Sequence, residues 1–342
     1  MKTTLLFLSV FLSANLFGQN VYIPDANFKS NLIGNSEINT NGDTQIQVSE
    51  ANAYTGGINC FGQAISDLTG IEAFTALTEL DCGANNLTSM DVTTNTALEV
   101  LGFAYNGLTS LDVSSNTALT ELECNNNQLT SLDVSSNTAL TELNCGNNQL
   151  ISLDVSNNTA LTELNCCNNQ LTSLDVSTNT TLISLDCSLN QLTSLDLTTN
   201  NALEVLYCPY NELTSLDLSS NTALTELGCY FNELECLNVK NGNNTAFVSY
   251  YAEYNQNLTC IEVDDAEWSA SNWTSVDSQT SFSENCNNDC SNSTIGINEL
   301  TTTKNLIQIL DMMGRETPFK PNKPLIYVYD DGSTEKVFSV EY

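Results

Sequence analysis

"LTSLDVSSNTALTELECNNNQ", residues 108–128, returns almost letter for letter at 129–149 and again at 150–170. The leucines Leu87, Leu108, Leu129, Leu150, Leu171, Leu192, Leu213 and Leu234 hold that 21-residue spacing throughout. Near-identical short units at a fixed period cannot each bury an apolar face alone, so they stack. Two segments of the unit alternate. In "ELEC", Leu122 and Cys124 point one way and Glu121 and Glu123 the other; in "SLDV", Leu132 and Val134 oppose Asp133. Alternation of period two predicts half-buried strands. Stacked in register, they make parallel ladders with a strand spacing of about 4.8 Å.

The unit reads L-x-x-L-x-C-x-x-N-x-L-x-x-L-D-V-x-x-N-T-A and resembles the leucine-rich repeat, in its short bacterial form, over residues 57–263. The resemblance implies a mainly β, α+β fold: a solenoid of about ten coils with parallel ladders, a small helical N-terminal cap and a small all-β C-terminal domain. One asparagine column (Asn85, Asn106, Asn127, Asn148, Asn169, Asn190, Asn211, Asn232) falls at the turn after the first strand, where its amides can bond backbone groups of neighbouring coils.

Cys60, Cys82, Cys124, Cys145, Cys166, Cys187, Cys208 and Cys229 share one inward column, with Phe103 and Ala252 replacing cysteine in two coils. Side chains on in-register parallel strands point the same way at the strand spacing. That is wider than the roughly 3.8 Å between Cβ atoms a disulfide prefers. A single file of thiols offers no tetrahedral metal site either. The column is therefore expected to be core, cysteine acting as a small hydrophobe. Cys236, Cys260, Cys286 and Cys290 stand outside it and allow three pairings. Cys260–Cys286 is favoured, because it would tie the segment between them across the open end of the solenoid.

The termini read differently. Residues 1–18 have the lysine, apolar run and small exit residues of a secretory signal peptide. Residues 19–56 are expected to form the N-terminal cap, with a helix starting at Pro24–Asp25 and turning Phe28, Leu32 and Ile33 inward. Within it, "NTNGDTQIQVSE" (39–50) resembles an EF-hand calcium loop. Asn39, Asn41 and Asp43 stand at positions one, three and five, Gln45 supplies the carbonyl position, and Glu50 stands at position twelve. Asn39 replaces the usual aspartate and Thr44 the usual glycine. Two readings stay open: weak calcium binding, or a capping loop of that shape without the ion. Residues 264–294 are a C-terminal cap and linker.

Residues 295–342 hold five of the eight basic residues. Two alternating segments, "LIYVY" and "KVFSV", flank Asp330-Asp331-Gly332 and predict a hairpin. "MMGRE", "PLIYVYDDG" and "EKVF" resemble C-terminal sorting domains of the Bacteroidetes type IX secretion system. The resemblance implies a signal read by that export machinery, with the passenger secreted or attached to the outer cell surface.

Composition narrows the function. With 41 acidic against 8 basic side chains the net charge is −33, which excludes nucleic acid as a partner. No stretch after the leader reaches the roughly 20 apolar residues of a spanning helix. The absence of histidine removes Ser–His and Cys–His catalysis, and the outward aspartates Asp91, Asp112, Asp133, Asp154, Asp175, Asp196 and Asp217 merely repeat, as a solvated surface would. The chain therefore reads as a binding protein for a protein or glycan ligand, not an enzyme. A structural scaffold without a specific ligand is the alternative. Sites should lie where coils depart from consensus. Tyr210, Phe231 and Tyr254 replace the Asn of earlier coils, and Tyr207, Tyr230 and Tyr251 lie beside them. Such a cluster is either a binding patch or packing beneath the C-terminal cap.

Overall fold

The computed structural model describes residues 19–287, 290, 306–311, 315–317, 324–329 and 334–338; residues 1–18, expected to be a signal peptide, lie outside them. The chain divides into two compact units, Met1–Asn292 and Ser293–Tyr342.

In the larger unit a ten-stranded parallel sheet runs from Gly57–Asn59 to Ser249–Tyr251, one three-residue strand per coil. Its register is the repeat itself: Leu101, Leu122, Leu143 and Leu164 are successive Cα partners. Each of these leucines is buried, and the neighbouring carboxylates stay on the other side of the pleat. The cysteine column is fully buried, with Phe103 and Ala252 at equivalent depth, and Cys60 through Cys229 are unbridged. Burial pushes the Cys145 and Cys229 thiols up to about 12, so the thiolate that would attack or bind metal is suppressed. Serine is nearly isosteric with cysteine but must hydrogen-bond when buried. Cys166→Ser should therefore destabilise by about 1–3 kcal/mol, read as a shift of the urea midpoint.

The "SLDV" segments bury Leu132 and Val134 as the alternation predicts. A second ladder forms only at the far end, however, through Ser215–Asp217, Cys236–Asn238, Cys260–Glu262 and Ser281–Ser283. Earlier coils hold this wall by side chains instead. Asn137 donates to the carbonyls of Val113 and Asn116, 3.0 and 2.9 Å away, and Asn158 does the same one coil later. The first asparagine column works in both directions. Asn169 donates to the carbonyls of Cys145 and Cys166 while its Oδ1 accepts from Leu150 N–H, joining adjacent coils at a turn no strand ladder reaches.

Both ends are closed. Helix α1 (Ala26–Gly34) starts at Asp25, whose Oδ1 accepts from Asn27 and Phe28 N–H and whose Oδ2 binds Ser66 of the first coil. Phe28 and Leu32 are buried, and Ile33 is partly so. A second short helix, α2 (Val48–Ala53), follows. At the other end α3 (Ala266–Asn272) brings Trp273 flat against Tyr250, ring centroids 4.0 Å apart, with Phe247, Trp268 and Phe282 edge-on around it. Disulfides join Cys260 to Cys286 and Cys236 to Cys290, tying this cap to the two middle strands of the second wall.

The smaller unit contains a three-stranded antiparallel sheet, Leu306–Asp311, Pro324–Tyr329 and Thr334–Phe338. The last two strands pair as a hairpin.

Candidate functional site

The position two residues after the inward cysteine lies at the exit of each strand, where the chain turns away from the sheet. There the backbone is left-handed in coil after coil: Ala84, Tyr105, Asn126, Asn147, Asn168, Leu189, Tyr210, Phe231 and Tyr254 all have φ between 50° and 62°. Asparagine tolerates this region; bulky side chains adopt it only where the surroundings impose it. Two of the three asparagines bond along the column, Asn168 Nδ2 donating to Asn147 Oδ1 at 2.7 Å. In the last coils the column turns aromatic instead, at Tyr210, Phe231 and Tyr254.

The rings form a ladder. Tyr210 and Phe231 stack with centroids 4.5 Å apart and planes 12° from parallel; Phe231 and Tyr254 stack at 4.0 Å and 5°. Tyr230 stands edge-on to both Tyr210 and Phe231. Tyr210, Phe231 and Tyr254 remain 44%, 38% and 54% exposed. The cap thus stacks on a different ring, buried Tyr250. Stacking along the solenoid covers both faces of Phe231, which presents its edge to solvent.

The other sequence-selected aromatics flank it on the strand face. Tyr207 is half-buried and donates its hydroxyl to Glu226 Oε2 at 2.9 Å. Burial first, and this carboxylate second, push its phenol up to about 12. Its ring crosses the next coil where only glycine fits, a Cβ on Gly228 falling 2.7 Å from Cδ1 of Tyr207. Tyr251, in the strand beyond, is 42% exposed. The structure therefore brings Tyr207, Tyr210, Tyr230, Phe231, Tyr251 and Tyr254 together over three coils. Beside the ladder lies a groove of about 700 Å³ whose lining includes Tyr210, Phe231, Tyr254, Glu212 and Glu233.

The calcium-like loop is organised differently. Glu50 Oε1 accepts from Asn41 N–H and the Thr40 hydroxyl, and its Oε2 accepts from Gln47 N–H, which starts α2. Asp43 accepts from the side-chain amides of Asn41 and Gln47 and from Gln45 N–H. The Lys29 ammonium sits 2.8 Å from Gln45 Oε1. Asn39 is buried and donates to the carbonyls of Ile33 and Asp43; only its Oδ1 lacks a partner among the described residues. Calcium asks for six to eight oxygens, and one unengaged amide oxygen beside two occupied carboxylates does not fit. Among the described residues, no cluster of three or more His, Cys, Asp or Glu could hold a metal. Glu50→Ala should cost about 1–2 kcal/mol by removing the helix cap, equally in calcium and in chelator. A calcium-dependent rise in melting temperature that vanishes in this variant would restore the metal site.

The aspartate row has a job that a merely solvated surface would not. Asp112, Asp133, Asp154 and Asp175 each accept the backbone N–H two residues on, closing a turn. The serine hydroxyl first, then that N–H, hold these carboxyls below the usual range. Sequence reading missed this role, although a Ser or Thr two residues after every such Asp was its signal. It also passed over Cys167, half-buried beside the cysteine column.

No protein-family model matches the chain. Internalin J of Listeria monocytogenes serotype 4b (strain F2365) is 44% identical over 77 residues, which is 22% of this chain and 8% of that protein. Among solved structures, the functional domain of InlJ from Listeria monocytogenes, which includes a cysteine ladder, superposes with a TM-score of 0.64 at 37% identity. The alignment covers 72% of this chain and 58% of that one. Internalin C2 from the same species shares the fold at 18% identity and a TM-score of 0.54, over 59% of this chain and 91% of its own. The chain thus spans a small fraction of the curated relative and a little over half of the solved InlJ domain. The fold is the leucine-rich-repeat solenoid.

Proposed function

We propose that this is an exported leucine-rich-repeat protein that holds a protein partner through the aromatic ladder and the adjoining strand face, displayed at or released from the outer cell surface. The observation that carries the reading is the run of exposed, mutually stacked rings at left-handed positions where other coils use asparagine. Aromatic rings at low entropy cost are the usual anchors of interfaces. A sugar ring would need an open aromatic face to stack on, and Phe231 has none, which favours a protein over a glycan. Similarity to internalin J, confined to part of each chain, supports the same choice. Residues 295–342 serve, in this reading, as the address for type IX export.

A photo-crosslinking residue in place of Tyr230 tests the binding. Saturable capture of one protein from neighbouring or host cell surfaces is expected, whereas a ligandless scaffold gives none. Deleting residues 293–342 should leave a folded solenoid inside the envelope. Its normal appearance outside the cell would remove the export reading.

A further inference from the structure

Two of the three ladder rings come with a second change two residues on. Where the column carries Asn126, Asn147, Asn168 or Leu189 the following surface residue is Gln128, Gln149, Gln170 or Gln191; after Tyr210 and Phe231 it is Glu212 and Glu233, whereas Tyr254 keeps an amide, Gln256. A neutral amide becomes a carboxylate in the two coils that supply Tyr210 and Phe231, and these four residues line one groove of about 700 Å³. Both glutamates are exposed, one coil apart. Among the described residues of this unit no basic side chain is bonded to them. Between residues 30 and 239 there is no lysine or arginine; Lys29 is bonded to Gln45 and Lys240 to the carbonyl of Glu284. Two like charges held beside an apolar strip, on a chain of net charge −33, want a cation from outside.

We infer, resting on the binding role proposed above, that the groove beside Tyr210, Phe231 and Tyr254 receives an extended, arginine- or lysine-bearing peptide segment of the partner. Its aliphatic side chains lie along the ring edges, and its cations pair with Glu212 and Glu233. Side chains of an extended strand alternate between two faces, so a segment alternating apolar and basic residues can meet the ring edges and the carboxylates in turn. The tyrosine hydroxyls at the ladder edge supply hydrogen bonds to its backbone.

The probe is a ten-residue synthetic peptide alternating arginine with valine, beside the same peptide with glutamine for arginine. Binding to the full chain is read by fluorescence anisotropy over a range of salt. The paired variant Glu212→Gln/Glu233→Gln, which installs the residues earlier coils already carry, should weaken the arginine peptide about tenfold, equivalent to 1.4 kcal/mol. It should leave the glutamine peptide unchanged. Glu121→Gln/Glu142→Gln removes the same charge from distant coils and should change neither. Equal loss in both charge variants would mean diffuse attraction to an acidic surface and would overturn the inference. So would an arginine peptide indifferent to Glu212 and Glu233. If the Tyr230 crosslink to a natural partner survives Glu212→Gln/Glu233→Gln undiminished, the binding role stands and the basic-segment assignment falls.

Discussion

Asn169→Ala should destabilise the solenoid by about 2–4 kcal/mol, while Asn168→Ala, its immediate neighbour, should cost no more than about 1 kcal/mol. The two differ only in where the backbone points them. Asn169 Oδ1 is the acceptor of Leu150 N–H, a buried donor, and its amide bridges carbonyls of two coils. Removing it strands an N–H where water cannot reach, the costliest kind of backbone loss. Asn168 is exposed at a left-handed position, and its amide meets only Asn147. Alanine already occupies that column at Ala84 with φ 52°. Urea unfolding of both variants gives the comparison, provided the slope stays constant. Equal costs would mean that the buried asparagine column contributes no more than local turn propensity.

That pair also shows what the sequence could and could not convey. Inward leucines and cysteines were legible because period-two alternation converts directly into a buried face, and the 21-residue spacing converts into register. The bonding of the first asparagine column followed from its place at a turn. The sign of φ at its neighbour did not, since no periodicity reports it. The trace was compositional: one column accepting Gly62, Asn126, Asn147 and Asn168 is a column that tolerates left-handed backbone. The role of the aspartates was hidden for another reason. Exposure does not exclude bonding: Asp133 is exposed and still fixes a turn through Ser135. The choice between patch and cap-packing for the aromatics depended on which ring Trp273 would cover, a contact across 23 residues of chain. Tyr250, in the sequence merely one of two adjacent tyrosines, is that ring.

Replacing Tyr210 and Phe231 together by Asn is expected to separate binding from stability more sharply than any other change. The backbone at both sites is left-handed, φ 55° and 51°, and asparagine is several-fold better suited to it than an aromatic ring. The variant loses two stacked pairs and two edge contacts to Tyr230, worth about 0.5–1.5 kcal/mol per contact, and relieves backbone strain of about 1–3 kcal/mol per residue. These are of similar size, so folding stability should change little, as it would not if the rings were core. The ladder would keep only Tyr254, and the groove would lose two of its three aromatic walls. Affinity for the crosslinked partner should fall by about 2 kcal/mol or more, a hot-spot loss, measured by titration against wild type. Unchanged affinity would move the functional surface off the strand exit altogether. A collapse in stability would mean that the rings are held by the fold and not for a ligand. A protein that accepts left-handed backbone to expose three stacked rings, where Asn126, Asn147 and Asn168 make the same turn without one, should give neither result.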